Sequence, residues 1–294
     1  MFDWPLTVPP SPPAGPIGVF DSGLGGLSVL RHIRSTLPHE DLLYVADSGH
    51  APYGGKPEAY IVARTIAVTE FLLARGAKAL VVACNTATAA AIKGVREVYP
   101  DLPVVGVEPG LKPAAALTRS GVVGVMATAF TLGSHKFAQL HEQISATTQV
   151  RFVLQPCVGL VDLIEKGDLD APEIAAMVEH YVAPLLEQGA DTLVLGCTHY
   201  PFVLPAIEAS VQHAGKTNVA IVDTGEAVTR QLARLLAQHQ LVRDAAHTGT
   251  LEGFTTASAA SLVAAFANLL KTQAKVSEIT LQHTMPAAFG HAAE

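Results

Sequence analysis

The pattern Leu-Leu-x-x-Gly-Ala-x-x-Leu-Val-x-x-Cys occurs twice, at Leu72–Cys84 and Leu185–Cys197, with all seven named positions identical at a constant offset of 113. Each copy reads as a helix that ends on glycine, a tight connection, a buried strand, and a thiol where the strand stops. A weaker echo relates Gly18-Val19 to Gly124-Val125 at offset 106. The helix and strand portion alone is what ordinary α/β chains produce. A cysteine closing both copies is not explained that way. If the two copies pack as quasi-equivalent halves, Cys84 and Cys197 face one another across the crevice between them.

The rest of the chain supports α/β organisation. Short apolar runs bounded by Gly, Pro, Asp or Asn predict strands at Ile17–Phe20, Leu42–Val45, Ala79–Ala83, Val104–Val107, Val122–Met126, Val150–Leu154, Thr192–Gly196 and Val219–Val222. Between them, amphipathic stretches predict helices at Leu27–Leu37, Glu58–Arg75, Thr88–Tyr99, Pro172–Gln188 and Glu226–His239. Buried strands alternating with helices imply parallel sheets covered on both faces, with ligands beyond the carboxyl ends of the strands. The expected fold is two quasi-equivalent, doubly wound α/β domains with the active site in the crevice between them, and 294 residues is about two domains' worth of chain.

Composition narrows the function. With 49% apolar and 15% charged residues, the chain as a whole is not a disordered tail, a coiled coil or a charge-rich nucleic-acid arm. A formal charge of −7 leaves no footprint of a polyanion, so neither direct nucleic-acid contact nor an anionic membrane is expected. Cys84, Cys157 and Cys197, 73 and 40 residues apart, make neither a disulfide framework nor a metal cluster, and indicate free thiols in a reducing cytoplasm. Residues 1–15 are Pro-rich, without a basic start or an apolar core, and read as a disordered extension rather than a signal peptide. Mean hydropathy is +0.33, but the charge-free stretch Gly253–Leu270 is full of Thr, Ser and Ala, so no membrane span is expected.

Three segments carry chemistry. Asp21-Ser22-Gly-Leu-Gly-Gly26 follows the first strand and opens the first helix. A dinucleotide fingerprint begun at Gly23 would need glycine where Ser28 stands, so no nicotinamide or flavin site is indicated. The glycines permit a tight turn that aims helix N-terminal N–H groups at a carboxylate. Asp21 is then either a polar group at the crevice or the helix N-cap. Cys84-Asn85-Thr86 and Cys197-Thr198-His199 each lie between a strand end and a helix start. That location, and in the second case the nearby imidazole, favours a thiolate. Asn and Thr beside it can hold carboxylate and ammonium groups. A lone cysteine there would be ordinary packing; two at matched positions point to function. Opposed thiols suit proton transfer at a stereocentre, one removing a proton from one face and the other returning one to the opposite face. A hydrolase would use a single cysteine with a histidine and an oxyanion hole. A thiol phosphatase would place Arg six residues after the cysteine, where Ala90 and Val203 stand.

The third segment, Asp47 through Pro52-Tyr53-Gly54, is a turn whose amides can point inward, or only a turn. Glu165 closes a short apolar helical run and reads either as a solvated helix-end carboxylate or as a site residue. Cys157 has no polar company and reads as packing.

These motifs resemble those of the bacterial glutamate racemases, over roughly Pro16 to His239. The resemblance rests on Gly18-Val-Phe-Asp21-Ser22-Gly-Leu-Gly-Gly26, Ala46-Asp47 with Pro52-Tyr53-Gly54, Ala83-Cys84-Asn85-Thr86, Thr128-x-x-Thr131 and Gly196-Cys197-Thr198-His199-Tyr200-Pro201. It implies interconversion of L- and D-glutamate without cofactor or metal, supplying D-glutamate for peptidoglycan, by a cytoplasmic homodimer. It further implies that Cys84 acts on D-glutamate, assisted by Asp21 with Asp47 nearby, and Cys197 on L-glutamate, assisted by His199 and Glu165. Asp21, Ser22, Pro52, Tyr53, Gly54, Asn85, Thr86, Thr128, Thr198 and His199 match the family's substrate contacts. The family's second domain is inserted in its first, which implies domains at 16–112 plus 223–294 and at 113–222. One departure is Leu132–Phe137, where the family often has a Tyr. Aspartate racemase is the nearest enzymatic alternative. A non-catalytic glutamate sensor is the alternative of another class, against which the two intact thiols stand. Some family members bind DNA gyrase, on which this sequence is silent.

Overall fold

The computed structural model describes residues 14–282. Most of the extension predicted at 1–15 lies outside these residues, as does the end of the chain from 283. The first part of the chain alternates β1 (Ile17–Asp21), α1 (Leu27–Thr36), β2 (Leu42–Ala46), α2 (Glu58–Leu73), β3 (Ala79–Val82), α3 (Asn85–Val98) and β4 (Val104–Gly106). A second run follows through α4 (Leu111–Leu117), β5 (Val122–Ala127), α5 (Ala129–Gly133), α6 (His135–Ser145), β6 (Arg151–Pro156), α7 (Leu160–Glu165) and α8 (Pro172–Glu187). It ends with β7 (Thr192–Gly196), α9 (Leu204–His213) and β8 (Ala220–Val222). Last come α10 (Gly225–Gln238), β9 (Leu251–Thr255), α11 (Ala259–Leu270) and β10 (Lys275–Glu278).

Two parallel sheets result, a six-stranded one in the order β10-β9-β2-β1-β3-β4 and a four-stranded one in the order β6-β5-β7-β8. The inner order β2-β1-β3-β4 is repeated by β6-β5-β7-β8, so the halves have the same winding. The two sequence echoes meet in space. A Cβ on Gly18 would lie 2.9 Å from Leu72 Cδ1, and one on Gly124 would lie 2.9 Å from Leu185 Cδ1. Leu72 and Leu185 are the repeat's own first leucines, and each needs glycine beneath it for its helix to sit close on the sheet.

Apolar clusters cover both faces of each sheet. Ile17, Val19 and Val81 pack with Leu30, Leu232 and Phe266 on one face of the larger sheet, and Phe20 and Val82 pack with Ile66 and Ile92 on the other. Strands buried on both faces have no alternation to show, which is why they are continuous apolar runs in the sequence. The core of the larger sheet includes α10, so after building the smaller sheet the chain returns to the larger one, whose edge it completes with β9 and β10.

The eight predicted strands are present within one or two residues. β9 and β10 were not among them, because Leu-Glu-Gly-Phe-Thr and Lys-Val-Ser-Glu are too polar to make an apolar run, and both are only partly buried. α3 starts at Asn85 rather than Thr88, with Cys84 itself as N-cap. No described helix is long and apolar enough to cross a membrane.

At the start of β7, Asp191 accepts hydrogen bonds from the Thr118 hydroxyl and from the N–H groups of Arg119 (2.8 Å) and Ser120 (2.7 Å), fixing the turn before β5. Burial opposes ionisation there, but these bonds outweigh it and bring the carboxyl down to about 2. A depressed folded-state value contributes stability above the unfolded value of ~3.9 that is lost as pH falls toward the folded value. Asp191→Ala is therefore expected to melt below the parent protein at neutral pH, with the gap narrowing between about pH 4 and pH 2. Thermal melts across that range check it, and a gap that does not narrow refutes it.

Candidate active site

The loops at the carboxyl ends of β1, β2, β3, β5, β6 and β7 surround one cavity of about 320 Å³ between the two sheets. Of the residues singled out from the sequence, Ser22, Pro52, Tyr53, Gly54, Cys84, Asn85, Thr86, Thr128, Cys197, Thr198 and His199 line it. Asp21, Asp47 and Glu165 stand behind its wall. The two sheets therefore each deliver one thiol of the repeat to a single space.

Around the first thiol, Cys84 Sγ accepts the Ala87 N–H at 3.4 Å and lies 3.6 Å from Ser22 Oγ. Asp21 is not the helix N-cap, a position held by Gly26. Its Oδ2 accepts the Gly23 N–H at 3.1 Å, and its Oδ1 accepts the Thr198 hydroxyl at 3.4 Å from the other sheet's side of the cavity. The sequence led us to expect a thiolate favoured by the helix N-terminus, and here the structure differs. Burial pushes the Cys84 thiol well up and the Asp21 charge adds to it; the single N–H and Ser22 only partly offset this. Burial likewise raises Asp21 above the usual carboxylate range, against the pull of His199. Desolvation wins because one weak sulfur hydrogen bond cannot replace bulk water.

The second thiol has different company. No α-helix starts beside it: a short turn at Tyr200–Val203 intervenes before α9. His199 Nδ1 lies 3.7 Å from Cys197 Sγ, and His199 Nε2 lies 2.5 Å from Glu165 Oε1. Burial alone would lower the His199 value, but its bonds to Cys197 and Glu165 outweigh burial and hold the imidazole well above its ordinary value. For Glu165, burial is outweighed by His199 and by the Leu24 N–H, and the carboxyl is lowered.

The glycine loop after β1 explains how this pair is held. The N–H groups that the sequence offered to a carboxylate were placed at the helix N-terminus, but the carboxylate that arrives is the protein's own Glu165, and its Oε1 accepts a single loop N–H, that of Leu24 at 2.6 Å, ahead of α1. A Cβ on Gly23 would fall 2.1 Å from Glu165 Oε1, and one on Gly25 would fall 2.2 Å from His199 Nδ1. Any side chain at either position would expel the partner. Ser28 Oγ, donating to the Thr198 carbonyl at 2.9 Å, ties the same loop to the second thiol's segment. On the opposite side of the cavity, the Thr86 and Thr128 hydroxyls meet at 3.1 Å.

Asp47 is buried and does not reach the cavity. It accepts from Arg64 Nε (2.8 Å), Arg64 Nη2 (2.6 Å), the Tyr53 hydroxyl (2.5 Å) and the Thr256 hydroxyl (2.9 Å). The Tyr53 hydroxyl is thereby turned away from the cavity it lines. Sequence reading missed Arg64 and Thr256, since neither lies in a motif. It also missed Val158, Gly159, Val161 and Asp162, and it took Cys157 for packing alone; all five line the cavity, although Cys157 is also part of a core. β6 runs to Pro156, two residues past its predicted end, which puts Cys157–Gly159 at a strand's carboxyl end like the other lining segments. Extending that strand was the signal available.

The fold and this paired-thiol cavity define a class: the chain belongs to the Asp/Glu/hydantoin racemase family, whose pattern matches residues 17–232, and it is an enzyme of that class. Its curated relatives include the glutamate racemase of Ectopseudomonas mendocina (strain ymp), 60% identical over 227 residues, which are 77% of this chain and 84% of that protein. Among solved structures, a glutamate racemase isoform of Bacillus anthracis superposes with a TM-score of 0.81 at 30% identity, covering 91% of this chain and 98% of its own. The glutamate racemase of Francisella tularensis subsp. tularensis SCHU S4, solved in complex with D-glutamate, gives 0.78 at 28% identity over 92% and 99%.

Two outcomes follow for the second thiol's companions. Gly25→Ala is expected to lower racemase turnover by about 10²-fold by displacing His199 while circular dichroism shows the fold retained; undiminished turnover counts against the arrangement. Glu165→Gln removes the carboxylate that holds the proton on His199. Its imidazole resonances are then expected to titrate at lower pH than in the parent protein, and an unmoved titration would show that Glu165 does not set the charge.

Proposed function

We propose that the chain interconverts L- and D-glutamate without a cofactor, Cys197 taking the Cα proton from L-glutamate and Cys84 from D-glutamate. The observation that carries this reading is the presence of two thiols, one from each sheet, lining one cavity. In the L-to-D direction the Cα–H bond breaks as the proton moves to the Cys197 sulfur, and its electron pair stays on Cα, delocalised into the α-carboxylate. The Cys84 thiol then delivers its proton to the opposite face, leaving one thiol and one thiolate with exchanged roles. Return passes through the same steps reversed.

Electrostatics favour the L-to-D direction of this division. Burial and Asp21 keep the proton on Cys84, as an acid requires, while the His199 imidazolium supplies the countercharge that a sulfur anion at Cys197 needs. The Cα proton of an amino acid is very weakly acidic, so charge developing on the carboxylate must be met by fixed donors. The Asn85 carboxamide is suited to this. The residue is 4% exposed, lines the cavity, and has neither its nitrogen nor its oxygen hydrogen-bonded within the protein. A buried unpaired amide is costly unless a ligand completes it. Fixed donors of this kind are each worth about 3–4 kcal/mol in a water-excluded site.

In this reading residues 16–112 with 223–294 form one domain and 113–222 the other, and the enzyme works as a cytoplasmic homodimer supplying D-glutamate for peptidoglycan. Its membership among proteins named glutamate racemase supports glutamate over aspartate.

The test is L-glutamate in D2O with chelator and no added cofactor. D-glutamate carrying deuterium at Cα is expected; product without deuterium, or no product, overturns the proposal. Cys84→Ala and Cys197→Ala should each lose at least about 10²-fold in rate, and a single variant that keeps ordinary racemisation would rule out opposed thiols.

A further inference from the structure

The cavity wall formed by Pro52, Tyr53, Gly54 and Gly55 has no regular element longer than a single turn to hold it. Behind it lies an ion pair that the proton-transfer steps do not use. Asp47 and Arg64 are both 0% exposed. An ionised carboxylate offers about four lone-pair sites, and four donors fill them. Oδ1 takes Arg64 Nη2 and the Thr256 hydroxyl, and Oδ2 takes Arg64 Nε and the Tyr53 hydroxyl. A carboxylate so occupied, and separated from the cavity by Tyr53, has no site from which to take a substrate proton. It does have a direct hold on the wall.

The hold extends to the late part of the chain. Thr256 directly follows β9, and its hydroxyl also accepts the Gly49 N–H at 3.0 Å, in the loop between Asp47 and the wall. Arg64 Nη1 donates to the Leu281 carbonyl at 3.1 Å, just past β10. Across the cavity the tolerance is small, because a Cβ on Gly54 would lie only 3.2 Å from Thr128 Cβ.

We propose that Asp47, Arg64 and Thr256 are positioning residues that set the Pro52–Gly55 wall against Thr128, with the Leu281 carbonyl as the outer anchor, and that Asp47 carries no proton in the reaction. This assignment rests on the cavity being the substrate's seat. It gives the segments after the smaller sheet a role at the site that no motif in them announces. Loosening the wall enlarges the space offered to both isomers without removing either thiol, so binding weakens while the proton transfers persist.

Steady-state kinetics in both directions on Asp47→Asn, Thr256→Val and Tyr53→Phe test it. The Asn side chain replaces one acceptor oxygen by a donor facing other donors. KM is expected to rise about 10-fold for L- and D-glutamate alike, with kcat within about 3-fold and the pH profile of kcat unchanged. Thr256→Val and Tyr53→Phe, which keep the ion pair and with it the fold, should move KM in the same direction by less. A fall in kcat at constant KM, or loss of one limb of the pH profile in Asp47→Asn, would make Asp47 a proton carrier and overturn the proposal. Parent-like kinetics in all three variants would overturn it too. Should Asp47→Asn not fold, the other two variants decide by the same criteria. Failure of the two-thiol reading is read separately, as turnover surviving in Cys84→Ala or Cys197→Ala.

Discussion

The site depends on a carboxylate beside one sheet docked onto a backbone N–H of the loop that follows β1 in the other. Glu165, at the end of α7 beside the smaller sheet, reaches the Gly23–Gly26 loop of the larger sheet, and His199 is held between Glu165 and Cys197. Glycine is required at 23 and 25 because the partner occupies the volume of a Cβ. Here the anion is internal, so the loop serves assembly between the lobes rather than direct recognition.

That docking also separates the environments of the two thiols. Each is buried, and at Cys84 burial disfavours the sulfur anion. At Cys197 an imidazolium is kept close by Glu165. At Cys84 the largest charge effect comes from Asp21, which adds to the desolvation rather than opposing it. Similar backbones therefore deliver chemically unlike sulfurs, and the distinction comes from side chains on neighbouring loops, not from the strands that carry the cysteines.

What was legible in the sequence was whatever repeats or runs continuously. Strands buried on both faces are apolar throughout, and the repeat ending at Cys84 and Cys197 marked both thiols and the shared winding. The glycine spacing showed that an anion belongs at the loop, but not that Glu165 supplies it, since that contact spans 141 residues. The thiol at Cys84 was read with the wrong direction of shift, because a helix N-terminus is visible in a sequence and depth of burial is not. β9 and β10 escaped because these strands, next to and at the edge of the sheet and only partly buried, lack an apolar signature. Arg64 escaped because it sits inside an otherwise ordinary apolar helix, and only the fold brings it to Asp47.

The unlike companions of the two thiols have a consequence for stereochemistry. Mirror-image substrates have equal free energies in water, so an enzyme that interconverts them gains nothing from favouring one over the other at equilibrium. Yet no protein built from L-residues can offer mirror-image arms, and these lobes, though wound alike, do not try to. One sulfur has a hydroxyl beside it and a buried acid acting on it through space, the other an imidazole that a carboxylate holds. Parity between the enantiomers is thus left to solution thermodynamics, while the two sulfurs keep unlike surroundings.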